Sequence, residues 1–355
     1  MQIGDTFKNG KSKSILKNFD LKQILVFLSP ALAILFAFFV AGLVVLISGE
    51  DPILAYATLF KGAFGTLAGV KNTIRFTLPI ILLAFSFSIC HCCGYFNIGQ
   101  DGQLVAAALA VTWIPTLLPE VSPTIQIAIM ILAGALVAGI VSLIPAIFKV
   151  WLSIDEVIIA ILMNYIILLL SSYVLLNSEI GDTNAGVLMS IAIKPTISPV
   201  FLIVAVVIII IGYSLSMQKT VPGFQLRMVG KNSRFAQISG IKSTKIIFFA
   251  ALLGGALSGL VATGELLGVY HLMYDGFATG MGFNGIIASL IGQHSPIGML
   301  LSSLVLGSLQ SGSVLLPVKT DVPAEIVQVV QGFVMLFATI NFVAVLIKTH
   351  KRKGI

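Results

Sequence analysis

Apolar runs of about twenty residues recur along nearly the whole chain, and they constrain its fold more than any other feature. They fall at 24–47, 74–93, 99–118, 124–148, 156–176, 196–217, 245–264, 278–293, 296–316 and 325–347. A helix needs about 20 apolar residues to cross the hydrocarbon core of a bilayer. Lipid offers backbone groups no hydrogen bonds, so each such segment must satisfy its own, as a helix does. The chain is 57% hydrophobic and only 10% charged, against roughly 25% charged in soluble domains. No soluble fold of this size has the interior to hide that much apolar surface. The expected fold class is therefore all-α, a polytopic integral membrane protein of about ten transmembrane helices. The eighth run is thinned by Gly280, Gly282 and Gly285 and could instead be a re-entrant half-helix.

The net charge of +7 would suggest nucleic acid if it were spread over a surface, but it is concentrated in three places. Lys8, Lys11, Lys13, Lys17 and Lys22 precede the first run; Lys219, Arg227, Lys231, Arg234, Lys242 and Lys245 share one central loop; Lys348, Lys351, Arg352 and Lys353 end the chain. Basic residues gathered in short loops mark the cytoplasmic side. Ten spans put all three clusters on that side, so the expected topology is N-in/C-in. The segments around 49–73, 177–195, 265–277 and 317–324 then lie outside. The expected division is a cytoplasmic basic segment 1–23, a transmembrane domain 24–347 and a cytoplasmic basic tail 348–355. No small-residue cleavage site follows a short apolar core, and the first run, 24–47, is long enough to stay in the membrane, so it reads as an uncleaved helix.

Other local signals weaken on inspection. The GDTFKNGKS stretch at 4–12 spaces its glycines by five residues instead of four and follows no strand, so it is not a phosphate loop. Cys90, Cys92 and Cys93 lie in one short knot with His91, where neighbours on a helix diverge by about 100° and cannot converge on a tetrahedral metal. The four histidines are scattered at 91, 271, 294 and 350. Asp155 and Glu156 open the fifth run, where acids suit a helix N-terminus. Glu265, His271 and Asp275 fall at the outer end of the seventh run, where loop solvation accounts for them and a binding protein or outer gate is the alternative. Residues 134–140 read GALVAGI and 255–260 read GALSGL, while GYFNIG at 94–99 resembles GFNG at 282–285. These similarities allow an internal duplication, and the Gly255/Gly259 spacing lets helices approach closely.

The most informative polar residues lie inside the apolar runs. In FNIGQDGQL, Asn97, Gln100 and Asp101 follow the i, i+3, i+4 spacing of one helical face, with Gln103 beside them. A carboxylate near the bilayer centre costs about 2.5–3.5 kcal/mol on insertion scales, so Asp101 should face the bundle interior or an aqueous path. Breaks at Gly94 and Gly99 suggest a non-helical turn whose free N–H groups Asp101 could cap. Contact with a solute in such a path and a salt bridge to another subunit are the other readings. Asn164 is a second intramembrane polar group. In the central basic loop, residues 222–245, a capping-type start at Asn232 precedes a short helix-compatible run that ends at Gly240. A short helix there would give another protein a handle, although a basic loop touching anionic lipid is the simpler alternative.

LRMVGKNSRFAQISGI resembles the coupling loop of ABC importer permeases, which docks a cytoplasmic helix into a groove on the ATPase. FNIGQDGQL resembles the FNIG-x-EGQ hallmark of the permeases that serve nucleosides, with simple-sugar and branched-chain amino-acid permeases more distant. DEVIIAILMNYI at 155–166 and GMGFNGIIASLIGQHSPIG at 280–298 resemble two further segments of that group. Asp101 stands where the hallmark usually has Glu, one methylene longer. The resemblance implies a permease subunit in the bacterial cytoplasmic membrane that moves nucleosides, purine ones first, inward by alternating access. It implies an ABC ATPase subunit carrying ATP and Mg, a second permease subunit and an extracytoplasmic substrate-binding lipoprotein as partners. This chain itself would hold no cofactor or metal, catalyse nothing and bind no nucleic acid. Asn97, Gln100, Asp101, Gln103, Asn164 and Asn284 are the candidate pathway residues. Arg227, Gly230, Asn232, Arg234, Phe235, Ala236 and Gly240 are the candidate coupling residues. The alternatives are an ABC permease for sugars or branched-chain amino acids, and an ion-coupled secondary transporter with Asp101 as the coupling group.

Overall fold

The computed structural model describes residues 35–339 apart from 48, 183–186, 321 and 324. The terminal basic segments, and the ends of the first and last apolar runs, lie outside the described residues. The fold is helical throughout: α1 (Leu35–Ile47), α2 (Pro52–Phe64), α3 (Leu67–Cys92), α4 (Gln100–Leu117), α5 (Pro123–Leu152), α6 (Glu156–Asn177) and α7 (Val200–Lys219) make up its first part. Then come α8 (Val221–Lys231), α9 (Ser233–Ile238), α10 (Ser243–Glu265), α11 (Met281–Ile291), α12 (Pro296–Ser313), α13 (Leu316–Lys319) and α14 (Ile326–Thr339). Among the described residues, extended backbone pairs only as isolated bridges, Gly181 with Ser190 and Met189 with Tyr274.

Six of these helices (α3, α5, α6, α7, α10 with its π-turn, and α12 through α13) are long and apolar enough to cross a membrane. The expected runs at 24–47, 99–118, 278–293 and 325–347 correspond to α1, α4, α11 and α14, whose described lengths or polarity are less decisive. With 11 residues, α11 rises only about 16 Å at 1.5 Å per residue, roughly half the hydrocarbon core. The segment 49–73, expected to be an outer loop, is instead largely helical. Asp51 caps α2 by accepting from Ile53 N at 2.8 Å, with Pro52 in the first turn. Ala55, Leu59 and Ala63 then form a buried stripe at i, i+4 spacing. Where that stripe crosses α12, Gly62 and Gly312 meet backbone to backbone.

α3 and α10 run through the centre of the bundle in opposite directions. Gly230 packs against the backbone of Cys92 and Cys93, so α3 ends at the basic-loop end, where α10 starts. α10 lies along α5 through small residues: a side chain on Gly255 would overlap the Ala138 carbonyl, and one on Gly259 the Gly134 carbonyl. The two similar segments, GALVAGI and GALSGL, therefore pack against each other. α10 does not end in a loop at Glu265 but continues as a π-turn, Leu266–Tyr270, to His271 at φ +58°.

Candidate functional site

The polar residues of FNIGQDGQL form a buried network. α3 stops at Gly94 with φ +78°, and the chain stays non-helical until Gly99 caps α4. Asn97 therefore precedes the helix and does not share its face with Gln100 and Asp101, because the glycine breaks reset the register. Its Oδ1 accepts from Gly99 N at 3.1 Å and from Gln103 Nε2 at 2.9 Å. Gln103 Oε1 accepts from Ser258 on α10 at 3.1 Å. Gln100 Nε2 donates to Leu83 O at 2.9 Å and Ser86 Oγ at 2.8 Å on α3. Asn164 on α6 spans the same break: its Oδ1 accepts from Gly102 N at 2.9 Å and its Nδ2 donates to Ile98 O at 3.1 Å.

Asp101 lies where two helix N-termini meet. Its Oδ1 accepts from Gly282 N at 2.7 Å and its Oδ2 from Gly280 N at 3.3 Å. These are among the first N–H groups of α11, which has no capping side chain of its own. The carboxylate also sits in the first turn of α4, so two helix dipoles favour its negative charge. This positions it as a cap for α11 from another helix.

At the basic-loop end, Lys149 on α5 forms an ion pair with Glu156 on α6 and also donates to Gly94 O at 2.6 Å. Phe96 N donates to Glu156 Oε1 at 3.0 Å. Asp155 caps α6 through Val157 N at 2.8 Å. The histidines, scattered in sequence, are not all apart in space. His91 and His294 stack with ring centroids 4.4 Å apart, and Ser289 Oγ lies 3.0 Å from His294 Nδ1. The three cysteines are free thiols.

The basic loop contains two helices where the sequence suggested one. Thr220 caps α8 through Gly223 N at 3.3 Å. Asn232 caps α9 through Phe235 N at 3.0 Å. Gly240 turns the chain away at φ +82°, a conformation that favours glycine. Ala236 is fully buried, Arg227 half-buried and Arg234 exposed. Phe235 is 52% exposed and Ile238 86%, so the elbow presents apolar side chains outward beside its cations.

At the opposite end, a cavity of about 150 Å³ opens among α3, the π-turn, α11 and α12, lined by Glu265, Tyr270, Tyr274, Phe277, Asn284 and Gln310 among others. Of the six pathway candidates, Asn284 is the one that lines it, and its Nδ2 donates to Gln310 Oε1 at 3.2 Å. Glu265, expected to be solvated, is only 2% exposed. The reason is that the helix does not stop at Glu265: the π-turn carries the chain onward and keeps the carboxylate inside. Its helical span end was visible in the sequence; the five-residue extension was not.

A family model described as branched-chain amino acid transport system / permease component matches residues 69–339. A guanosine ABC transporter permease protein of Bacillus subtilis is 30% identical over 346 residues, covering 94% of this chain and 99% of its own. A nucleoside ABC transporter permease protein of Lactococcus lactis is 28% identical, covering 89% of this chain and 91% of its own. A glucose ABC transporter permease protein of Haloferax volcanii is 30% identical, covering 87% and 86%. No solved structure matches the chain. A family match over most of the chain, on a helical bundle with six candidate spans, identifies this membrane protein as a member of the branched-chain amino acid transport system permease family, a transport component and not an enzyme.

Proposed function

We propose that the chain is the permease subunit of an ATP-binding-cassette importer that moves nucleosides, purine ones first, into the cytoplasm by alternating access. The observation that carries this reading is the α8–α9 elbow. It is a pair of capped helices between the long apolar helices α7 and α10, with Phe235 and Ile238 exposed beside Arg234. An ATPase subunit holding ATP and Mg docks there, in the helix-in-groove manner. In this reading the chain crosses the membrane ten times with both termini cytoplasmic. Its path is completed by a second, related permease subunit, and substrate arrives from an extracytoplasmic binding lipoprotein at the Glu265 end. The nucleoside substrate is supported by two relatives whose names carry it and by the aromatic wall of the cavity. A sugar is the second reading, favoured by the glucose permease relative at the same 30% identity.

The test is uptake of radiolabelled adenosine, guanosine and uridine by cells without nucleoside import of their own, expressing the chain with its partner subunits. Uptake that depends on an intact α8–α9 elbow supports the proposal. An assembled complex that moves none of the three, but moves ribose or glucose, replaces the nucleoside with a sugar.

A further inference from the structure

The cavity at the Glu265 end contains a recognition group with nothing yet to recognise. Glu265 is 2% exposed, and its Oε1 has no hydrogen-bond partner among the described residues. Its Oε2 is 3.9 Å from Arg75 Nη2, beyond hydrogen-bond reach. The Nε of Arg75 is likewise buried and unpartnered among the described residues. Buried polar atoms are almost always satisfied, and a buried carboxylate with an empty oxygen is costly enough to need an explanation. A ligand supplies one here, because Glu265 lines the cavity.

The shape of the cavity narrows the chemistry. At about 150 Å³ it is smaller than the roughly 300–1,000 Å³ of sites that enclose a whole drug-sized molecule, so it takes one ring system. Tyr270, Tyr274 and Phe277 form a mutual edge-to-face trio, with centroids 5.5 to 6.0 Å apart. Arg75 holds its guanidinium 5.2 Å from the Tyr270 ring centroid and 5.0 Å from that of Phe76, which fixes the cation behind two of the rings that line the cavity. An aromatic wall favours a flat π-system. Asn284 and Gln310, bonded to each other, add amide groups to the lining. The unpartnered Oε1, with Oε2 beside it in a long ion pair to Arg75, matches two adjacent N–H donors, and the arginine matches a neighbouring carbonyl oxygen.

We propose that this cavity is a nucleobase subsite, in which Glu265 accepts the adjacent ring and exocyclic N–H donors of a guanine-type base, Arg75 donates to its carbonyl oxygen, and Tyr270, Tyr274 and Phe277 pack on the ring. This assignment rests on the nucleoside reading given above and makes it specific. It gives the permease a selective step of its own, at the end of the path away from the basic elbow. A site built to pair with substrate N–H groups discriminates strongly against analogues that lack them, because its own buried group is then left unpaired.

The experiment compares KM for guanosine and for inosine, which lacks the exocyclic amino group, in the complete complex with wild-type chain and with Glu265→Gln. Wild type is expected to favour guanosine, and Glu265→Gln to raise the guanosine KM by roughly tenfold while bringing the two substrates together. A guanosine-to-inosine ratio that the variant leaves unchanged overturns the subsite. If wild type takes up no nucleoside at all, the nucleoside reading fails and the subsite falls with it, whereas intact nucleoside uptake with an unchanged ratio overturns the subsite alone. A second measurement keeps Glu265 intact and so does not depend on that variant folding. Thr279 is exposed and lines the cavity, so Thr279→Cys can be labelled there with an impermeant maleimide. Guanosine and free guanine are expected to slow the labelling and ribose to leave it unchanged. Protection by ribose and not by guanine assigns the cavity to a sugar and overturns the proposal, as does labelling that no nucleoside alters.

Discussion

The carboxylate of Asp101 on α4 accepts the backbone N–H of Gly282 on α11 at 2.7 Å, across 181 positions of sequence. A side chain on Gly282 would close that gap, since its Cβ would sit 2.7 Å from Asp101 Oδ1 and 2.7 Å from Gln100 Cβ. The glycine lets α11 come close enough for the carboxylate to reach two of its first amides.

Asp101→Asn should therefore destabilise the subunit. The amide keeps one acceptor but turns an N–H₂ group toward an N–H of Gly280 or Gly282, leaving one donor unmet. Losing a partner for a buried polar group costs about 1–3 kcal/mol. Thermal unfolding of the purified complex in detergent should show a clear drop in midpoint. An unchanged midpoint with lost flux would instead make Asp101 a substrate contact.

Gly259→Ala tests the α5–α10 seam, where the added methyl would meet the Gly134 carbonyl. Overpacking of this kind typically costs about 1–3 kcal/mol, and here the obstacle is rigid backbone. Gly212 on α7 is the matched control, with nothing among the described residues within 4 Å of an added methyl. Gly212→Ala should be neutral or stabilise by up to about 1 kcal/mol through helix propensity. Equal melting temperatures for the two variants would remove the seam as a source of stability.

How far the sequence carries depends on which force sets each feature. The apolar runs locate α3, α5, α6, α7, α10 and α12 within a few residues at most ends, because lipid burial depends on local composition. α3 starts earlier, at Leu67, because residues 67–73 carry polar groups that broke the apolar run but not the helix. The caps at Asn232 and Asp155 were legible for the same local reason. α2 was missed because its buried stripe is short and flanked by charge, and only packing against α12 explains it. The burial of Glu265 was missed because it depends on a π-turn, which has no composition signal. The stacking of His91 on His294 joins residues 203 positions apart, and no single-chain periodicity reports such a contact.

That stack yields a pH prediction. His294 lies in the turn between α11 and α12, where burial, with the neighbouring His91 ring, holds its pKa down to about 4, against about 6.5 when unperturbed. The folded state thus prefers neutral His294. Its contribution is complete above about pH 6.5 and is lost as pH falls through 6.5 toward 4, at no more than about 1.4 kcal/mol per pH unit. Melting curves of the wild-type complex and His294→Gln between pH 7.5 and 4.5 should converge as pH drops. A difference independent of pH would show that the proton is not involved.

The last prediction concerns the elbow. α9 has six residues and cannot hold its shape alone, since isolated helices shorter than about 12–15 residues are marginal in water. It is held by the Asn232 cap, by burial of Ala236 and by the Gly240 turn, where Ile241 N donates to Ala236 O at 2.9 Å. The residues that hold α9 are therefore separable from those it presents. Phe235→Asp or Arg234→Glu changes only the outward face, and should leave membrane levels intact while ATP hydrolysis no longer drives uptake. Asn232→Ala removes the cap, typically at a cost near 1 kcal/mol, and should weaken coupling by fraying α9 itself. Replacing Asn232 with Asp or Ser, both good caps, should restore coupling. ATPase rate and uptake measured together on these three classes of variant separate docking from folding. Full coupling in both outward-face variants would mean that the ATPase docks elsewhere.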